Sequence, residues 1–183
     1  MDEGELAQLQ RDIRRLKDRQ DILDCLVREA RGRDRQDVAL TASCYWDDAF
    51  DEHGPMITPA PDYPMRANVG HAAFFSATQH NLCNHACEID GDVAHCETYV
   101  VGTLLAKDEQ TCILAPGRYL DRMERRNGEW RIALRRTTVE MSLQGGTEFA
   151  RSKAVAGFVR GEWSRSDPSY ARPLTLEAPA RRW

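Results

Sequence analysis

Two turn dipeptides divide the second half of the chain into segments of alternating polarity. Asp90-Gly91 and Asn127-Gly128 each separate stretches in which apolar and polar residues alternate, and both dipeptides favour the two-residue turn of a β-hairpin. The alternating stretches span residues 83–89, 92–105, 111–126 and 129–141, with a charged connection at 106–110. This pattern predicts a four-stranded antiparallel meander.

The apolar side of the last predicted strand changes partway along it. Ile132 and Leu134 share one parity of the alternation, whereas Val139 and Met141 share the other. A β-bulge near Arg135-Arg136 would switch the face that points to the core. Because a bulge bends a sheet, we expect a strongly curved sheet with a concave side.

The first part of the chain has the pattern of helices. Residues 5–31 carry an apolar stripe at helical spacing, and we expect Gly32 to end this helix because glycine readily adopts positive φ. Asp34 or Asp37 then caps a second, short helix that runs through Tyr45. Helices followed by antiparallel strands indicate an α+β fold, with the helices on one face of the sheet.

The remaining segments give weaker signals. Residues 46–69 suggest an ordered loop with one short strand, and residues 70–79 suggest a third helix. A pocket domain over residues 1–141 accounts for these elements. Residues 142–183, with a modest helix around Thr147–Val159, are expected to form a C-terminal lid or a subunit-wrapping arm.

Composition limits the partners and the compartment. With 42% hydrophobic and 30% charged residues the chain is globular, and a net charge of −4 supplies no basic surplus for nucleic acid phosphates. No apolar run is long enough to span a bilayer, and the acidic start lacks the features of a signal peptide. We therefore expect a cytoplasmic protein that binds neither nucleic acid nor a membrane.

The six cysteines are expected to be reduced in that compartment and to fill core positions. Cys83 and Cys87, with His80, His85 and His95 nearby, could suggest zinc. A zinc site, however, usually shows close cysteine pairs at two places in the sequence. Here the pair stands alone and packing explains it better, so no metal site is predicted.

Asp34 and His80 are the residues on which a functional interpretation depends. A carboxylate beside an imidazole fixes the tautomer of the ring and stabilises its protonated form, which makes a general base that works near neutral pH. The alternatives are structural: Asp34 could cap a helix, and His80 could be an ordinary loop histidine. The histidines at 71, 85 and 95 have no partner that the sequence identifies. No glycine-rich phosphate loop is present, so no cofactor is expected.

Arg135 lies on a half-buried predicted strand, where a guanidinium that faces the concave side needs a partner. Glu29, Asp34 or an anionic ligand could provide it. Alternatively, the bulge turns Arg135 outward and Arg136 inward. The candidate substrate-binding residues, of which the two tyrosines could equally serve packing alone, are Glu29, Tyr99, Tyr119 and Thr137.

Several stretches, taken in order, resemble the SnoaL-like branch of the nuclear-transport-factor-2-like superfamily. These stretches, which together cover about residues 8–141, are Arg33-Asp34-Arg35-Gln36-Asp37, Tyr45-Trp46-Asp47-Asp48-Ala49, His80-x3-Asn84, and residues 89–94, 117–121 and 124–132. The resemblance implies a cone-like roll, in which a curved antiparallel sheet wraps on the N-terminal helices and encloses an internal pocket.

The resemblance also implies a site. Scytalone dehydratase, hexachlorocyclohexane dehydrochlorinase and bile acid 7α-dehydratase, which belong to this superfamily, use an Asp–His dyad in the pocket, and the matching positions here are Asp34 and His80. Arg135, five residues after Trp130, is similar in position to a pocket arginine of the dehydrochlorinase. Glu29 stands where the bile acid enzyme has a tyrosine, so the substrate does not carry over.

The function that the resemblance implies is that of a cofactor-independent lyase or isomerase. His80 would remove a proton, Asp34 would orient His80, and Arg135 would stabilise negative charge during dehydration, dehydrohalogenation or a double-bond shift of a small hydrophobic, typically cyclic molecule. The alternative is a non-catalytic hydrophobic-ligand-binding or assembly module, including a role like the small subunit of ring-hydroxylating dioxygenases. A homodimer or homotrimer is expected, because a curved sheet leaves one face to be covered.

Overall fold

Three helices and seven strands make up the fold, and the computed structural model describes all residues from 1 to 183. The helices are α1 (Glu3–Asp34), α2 (Val38–Ala42) and α3 (Tyr63–Phe74). The strands are β1 (Tyr45–His53), β2 (Met56–Pro59), β3 (Phe75–Asp90), β4 (Val93–Ala106), β5 (Thr111–Arg126), β6 (Glu129–Val139) and β7 (Leu143–Gly146).

The predicted meander and α+β class are confirmed. Strands β3 to β6 pair antiparallel in chain order, and the sheet runs β2-β1-β6-β5-β4-β3 with β7 added to β5. The sheet as a whole is mixed, since β1, outside the predicted meander, pairs parallel with β6. The sheet is curved and open, and α1 packs on its concave side, which we call the inner face.

The bulge in β6 lies earlier than predicted. Arg122 pairs with Leu134 but Met123 pairs with Ile132, so Ala133 is the extra residue and the expected bulge at 135–136 is displaced toward the hairpin. Beyond Ala133 the parity of the strand reverses. As a result Ile132 and Arg135 are both fully buried on the inner face.

Helix α1 continues past Gly32, so the predicted stop was wrong. A Cβ at Gly32 would lie 2.4 Å from Thr41 Oγ1 and 2.8 Å from the Thr41 backbone nitrogen, so glycine permits a close approach of α2. Gln36, with φ of 53°, provides the left-handed residue after the helix. Asp37 caps α2 by accepting the Leu40 amide at 3.1 Å.

Residues 45–80 contain more regular structure than predicted. The expected loop at 46–69 holds β1, β2 and the start of α3, and Tyr45 begins a strand where a helix was expected. Helix α3 begins earlier than residue 70 because Pro64 suits a first helical turn, which needs no amide donor. His80 therefore lies inside β3 and is not a loop histidine.

The C-terminal segment, residues 142–183, forms no α-helix, so the predicted helix at Thr147–Val159 was wrong. One 3-10 turn spans Glu148–Arg151 and a second spans Pro168–Tyr170. The segment packs on the end of α1, where Arg35 pairs with Asp167 at 2.7 Å and Arg31 donates to the Ser169 hydroxyl at 3.0 Å. None of the helices combines the length and apolar character needed to cross a membrane.

Candidate active site

The second half of α1 directs charged side chains into the interior. Ile22, Leu26, Glu29 and Arg33 follow one face at helical spacing, and all four are buried. Asp34, the last residue of the helix, is buried as well. Because a buried charge is costly unless it is paired, each of the three charged residues needs a partner across the interior.

Asp34 binds β3 through three hydrogen bonds. His80 Nδ1 lies 2.6 Å from Asp34 Oδ1, the His80 amide donates to Oδ2 at 2.7 Å, and the Thr78 hydroxyl donates to Oδ1 at 3.2 Å. Asp37 caps α2, which leaves the Asp34 carboxylate for the imidazole. The fold thus brings together two candidate residues that are 46 positions apart.

The contact with Asp34 determines which nitrogen of His80 carries the lone pair. An ionised carboxylate can only accept hydrogen bonds, so Nδ1 is protonated and the lone pair lies on Nε2. His80 Nε2 has no hydrogen-bond partner in the protein, and it is not completely sealed from solvent. Burial lowers the pKa of His80, and the Arg33 guanidinium lowers it further, against the opposing effect of Asp34. His80 is therefore a neutral base with a free nitrogen.

His71 stacks on His80 and is held by Arg33. The two imidazole rings are 5.7 Å apart and nearly parallel, and Arg33 Nη2 lies 3.1 Å from His71 Nε2. A guanidinium can only donate, so His71 Nε2 accepts and the proton of the neutral ring is on Nδ1. Burial and the Arg33 charge lower the pKa of His71 to about 3. The Nδ1–H group of His71 is thus a fixed donor beside a neutral base.

A small cavity of about 130 Å³ lies beside His71, whose ring stacks on that of His80. It is lined by Arg33, His53, Met56, Thr58, Tyr63, Arg66, Ala67, Gly70 and His71. Three polar atoms of these residues are buried without a hydrogen-bond partner, namely Arg33 Nε, His53 Nδ1 and His71 Nδ1. Nearly all buried polar atoms in folded proteins are paired, so this concentration marks a place suited to a polar group of a ligand or to water.

Arg135 faces inward but its donors are used by the protein. Its Nε and Nη2 donate to Asp121 at 2.7 and 3.0 Å, and Nη1 donates to Glu29 at 2.7 Å. All three side chains are sealed from solvent, and burial raises the pKa of Asp121. Glu29 also accepts from Tyr45 at 3.4 Å. This geometry does not support the expected roles of Arg135 on negative charge and of Glu29 on substrate, since their charged groups are bonded to each other and to Asp121.

The three other candidate substrate-binding residues do not all lie on the same face of the sheet. Tyr119 lies on the inner face, buried, with its ring 4.0 Å from the guanidinium carbon of Arg135. Tyr99 pairs with Arg118 on the opposite face and is 47% exposed, so it does not share a face with Tyr119. Thr137 pairs with Tyr119 on the inner face, and its hydroxyl is buried without a partner.

Two residues of the site were not predicted. Arg33 lies one helical turn after Glu29, and the apolar stripe of α1 would have indicated its inward direction if the helix had not been expected to end at Gly32. His71 was interpreted as ordinary, and no sequence signal identifies it, because its neighbour His80 belongs to another element. Helix α3 brings His71 against Arg33 of α1 and against His80 of β3.

A larger cavity, of about 690 Å³, lies between the sheet and the C-terminal segment. Its lining includes Thr78, Gln79, Arg160, Trp163 and Trp183 but not His80. Thr78 is the one residue that connects this cavity with Asp34. His80 lines neither cavity, but the small one is lined by His71, whose ring stacks on that of His80.

Solved structures show where this fold occurs. A putative scytalone dehydratase from Novosphingobium aromaticivorans is 18% identical, with a TM-score of 0.65 over 70% of this chain and 88% of its own. A type 2 hexachlorocyclohexane dehydrochlorinase (LinA) is 23% identical, with a TM-score of 0.68 over 73% and 93%. A single-residue variant of Rv3472 from Mycobacterium tuberculosis, a protein of unknown function, is 26% identical, with a TM-score of 0.62 over 69% and 74%.

Among curated proteins, no sequence matches this chain. The SnoaL-like domain family, in contrast, matches residues 14–136, which include most of α1, both residues of the Asp34–His80 contact and the meander up to the last residues of β6. The match covers most of the chain and agrees with the fold of the solved structures. The chain therefore belongs to the SnoaL-like domain family.

Proposed function

We propose that this protein is a cofactor-independent lyase or isomerase in which His80 is the general base. The observation that carries the proposal is the 2.6 Å contact between His80 Nδ1 and Asp34 Oδ1, which leaves Nε2 unprotonated and free. A general base must be neutral at the working pH and must reach the proton that it removes. Burial of His80 favours the first condition, and the unpartnered Nε2 is consistent with the second.

In the proposed reaction His80 Nε2 takes a proton from carbon. The electron pair of the broken C–H bond forms a carbon–carbon double bond as the leaving group departs, or the proton returns at another carbon in an isomerisation. Asp34 stabilises the imidazolium that forms. Arg33 and the Nδ1–H group of His71 take the role first expected of Arg135, since both face the small cavity and can stabilise negative charge on an oxygen or a halide.

The proposed substrate is a small, largely hydrophobic ring compound with one polar substituent. A cavity of about 130 Å³ is close to the ~150 Å³ that holds a benzene-sized molecule. Met56, Tyr63 and Ala67 supply apolar surface, while Arg33 and His71 supply donors. Elimination is consistent with the names of two structural neighbours, a putative scytalone dehydratase and a hexachlorocyclohexane dehydrochlorinase.

The experiment is a panel of hydroxylated and halogenated ring compounds, followed by mass spectrometry for loss of water or of hydrogen halide. We expect turnover with at least one compound, and we expect His80→Gln and Asp34→Asn each to reduce it by a factor of about 10² or more. The matched controls are His95→Gln and Asp24→Asn, because His95 and Asp24 are exposed. Activity that survives in both site variants would contradict the proposed role of His80.

The second candidate is a non-catalytic pocket protein, and the Arg135 network favours it. The ion pairs of Arg135 with Glu29 and Asp121 fill the interior where the resemblance implies an open pocket. Binding of a panel compound by calorimetry, without turnover and with unchanged affinity in His80→Gln, would support this candidate over the enzyme.

We also propose that the protein is a homo-oligomer. Leu9, Ile13 and Leu16 form an apolar stripe on the first half of α1, and all three are exposed in the single chain. A second copy is the partner that fits a stripe of this length. Light scattering after size-exclusion chromatography should show a dimer or trimer that dissociates when these residues are replaced by serine. A monomeric wild type would contradict the proposal.

A further inference from the structure

Three possible metal ligands meet on the inner face of the sheet, away from the Asp34–His80 contact. Cys87 in β3 pairs directly with Cys96 in β4, and His85 lies two residues before Cys87. A ring nitrogen of His85 and the two sulfur atoms all lie within 4.8 Å of one another. Both cysteines are buried, whereas His85 is partly exposed, so the cluster has a side through which an ion can enter.

The orientation of His85 is suited to a metal ligand. Its Nδ1 lies 2.9 Å from the Thr98 hydroxyl, while its Nε2 is buried and has no hydrogen-bond partner. When Nδ1 carries the proton and donates to Thr98, the lone pair of Nε2 is free. Metal-binding histidines characteristically donate their other N–H to a fixed acceptor in this way, which holds both the tautomer and the ring.

The two thiols come from directly paired residues of neighbouring strands and lie next to the His85 ring. Thiolates and imidazole are the ligands that Zn²⁺ prefers, whereas Mg²⁺ and Ca²⁺ prefer oxygen.

We propose that His85, Cys87 and Cys96 form a zinc site with three protein ligands and a water in the fourth position. Zn²⁺ with two thiolates and a neutral imidazole has no net charge, which suits a buried location. Bond lengths of about 2.3 Å to sulfur and about 2.0 Å to nitrogen place tetrahedral ligand atoms roughly 3.5–3.8 Å apart. From a separation of at most 4.8 Å, side-chain adjustments of about 1 Å complete the site.

The sequence pattern did not reveal this site because its ligands come from two strands. Cys83, which lies closest to Cys87 in the sequence among the cysteines, is exposed and does not belong to the cluster, while Cys96 lies on the far side of the Asp90-Gly91 hairpin. A metal ion at this site would link β3 to β4 next to the buried ion pairs of Arg135, since Cys96 pairs with Asp121 on β5.

The test uses the full-length protein, purified, reduced and stripped of metal, and titrated with Co²⁺ and then Zn²⁺. We expect one equivalent of Co²⁺ to produce thiolate-to-cobalt charge-transfer absorption, which Zn²⁺ then removes. Zn²⁺ should also protect Cys87 and Cys96, but not Cys83, from alkylation as mapped by mass spectrometry. This protection is measured on the wild type and does not depend on the folding of any variant.

Variants identify the ligands. His85→Ala, Cys87→Ser and Cys96→Ser should each weaken Zn²⁺ binding at least about tenfold, and Thr98→Val, which removes only the fixed acceptor, should weaken it by about 10–100-fold. Cys83→Ser is the matched control and should bind as the wild type does. The proposal would be overturned if Co²⁺ gave no charge-transfer absorption, or if Zn²⁺ left the alkylation of Cys87 and Cys96 unchanged. A disulfide between Cys87 and Cys96 in the native protein would also overturn it.

Discussion

The replacement of Arg135 by methionine tests how the interior of the fold is organised. Arg135 donates three hydrogen bonds to Asp121 and Glu29, at 2.7 to 3.0 Å, and no part of these side chains reaches solvent. Methionine has a similar length but no charge, so Arg135→Met leaves two buried carboxylates without their cation. Breaking a buried ion pair from one side costs about 3–5 kcal/mol.

This cost is large enough to measure. For a chain of this size about 1 kcal/mol corresponds to roughly 2–4 °C in the melting temperature, so we expect a decrease of about 6–20 °C. The raised pKa of Asp121 limits the loss, because that carboxyl can take up a proton when the guanidinium is absent. Urea denaturation at pH 7 gives the free energy of unfolding directly.

Two further variants separate a structural role of Arg135 from a catalytic one. Arg136→Met is the matched control: Arg136 is the next residue and pairs with Glu52 at the surface, so its loss should cost less than about 1 kcal/mol. The triple variant Arg135→Met, Glu29→Gln, Asp121→Asn removes all three charges and should recover most of the lost stability. If Arg135→Met is as stable as Arg136→Met but has lost turnover, the arginine faces the substrate and our assignment is wrong.

Three other predictions concern neighbouring features. The pKa of His71 falls from 6.5 to about 3 on folding, so the unfolded chain binds more protons below pH 6.5 and the free energy of unfolding decreases as the pH falls. Between pH 7 and 5 the wild type should lose about 2 kcal/mol more than His71→Phe in urea denaturation, and an equal loss in both proteins would contradict the shift. Gly32→Ala should cost about 1–3 kcal/mol of stability, because the new Cβ would lie 2.4 Å from Thr41 Oγ1. Gly70→Ala is the control, since a Cβ at Gly70 meets open space, and it should be neutral or slightly stabilising. Similar melting temperatures of the two variants would contradict the close approach of α2 at Gly32. Arg35→Ala removes the ion pair that holds the C-terminal segment, so thermolysin should cleave residues 147–183 faster while the core melts as before; unchanged cleavage would show that other contacts hold the segment.

The meander was predictable because its determinants are local. Asp90-Gly91 and Asn127-Gly128 specify tight turns, and alternation specifies which residues share a face. The bulge shows the limit of this reasoning. An unbroken hairpin around Asn127-Gly128 would pair Arg135 with Leu120 and turn it outward, but the extra residue at Ala133 pairs Arg135 with Asp121 on the inner face. A shift of one residue therefore decides the partner, and local alternation does not locate that shift closely enough.

The site was predictable only in part. The contact of Asp34 with His80 follows from the resemblance, since no local rule connects the end of a helix to a strand far along the chain. Arg33 was missed because a glycine was expected to end α1, although Gly32 serves the packing of α2 against the helix. His71 was missed because its role depends on α3, whose position follows from tertiary packing. Residues that act through contacts between distant elements are the ones that sequence periodicity does not reveal.

The central claim is that His80 is a neutral base with its lone pair on Nε2. Nitrogen NMR of the full-length protein labelled at histidine, with His80 assigned by comparison with His80→Gln, tests it without knowledge of the substrate. At pH 7 we predict a neutral ring with a proton on Nδ1, held by Asp34, and an unprotonated Nε2; in Asp34→Asn this tautomer preference should weaken. A proton on Nε2, or a doubly protonated His80 at pH 7, would contradict the account.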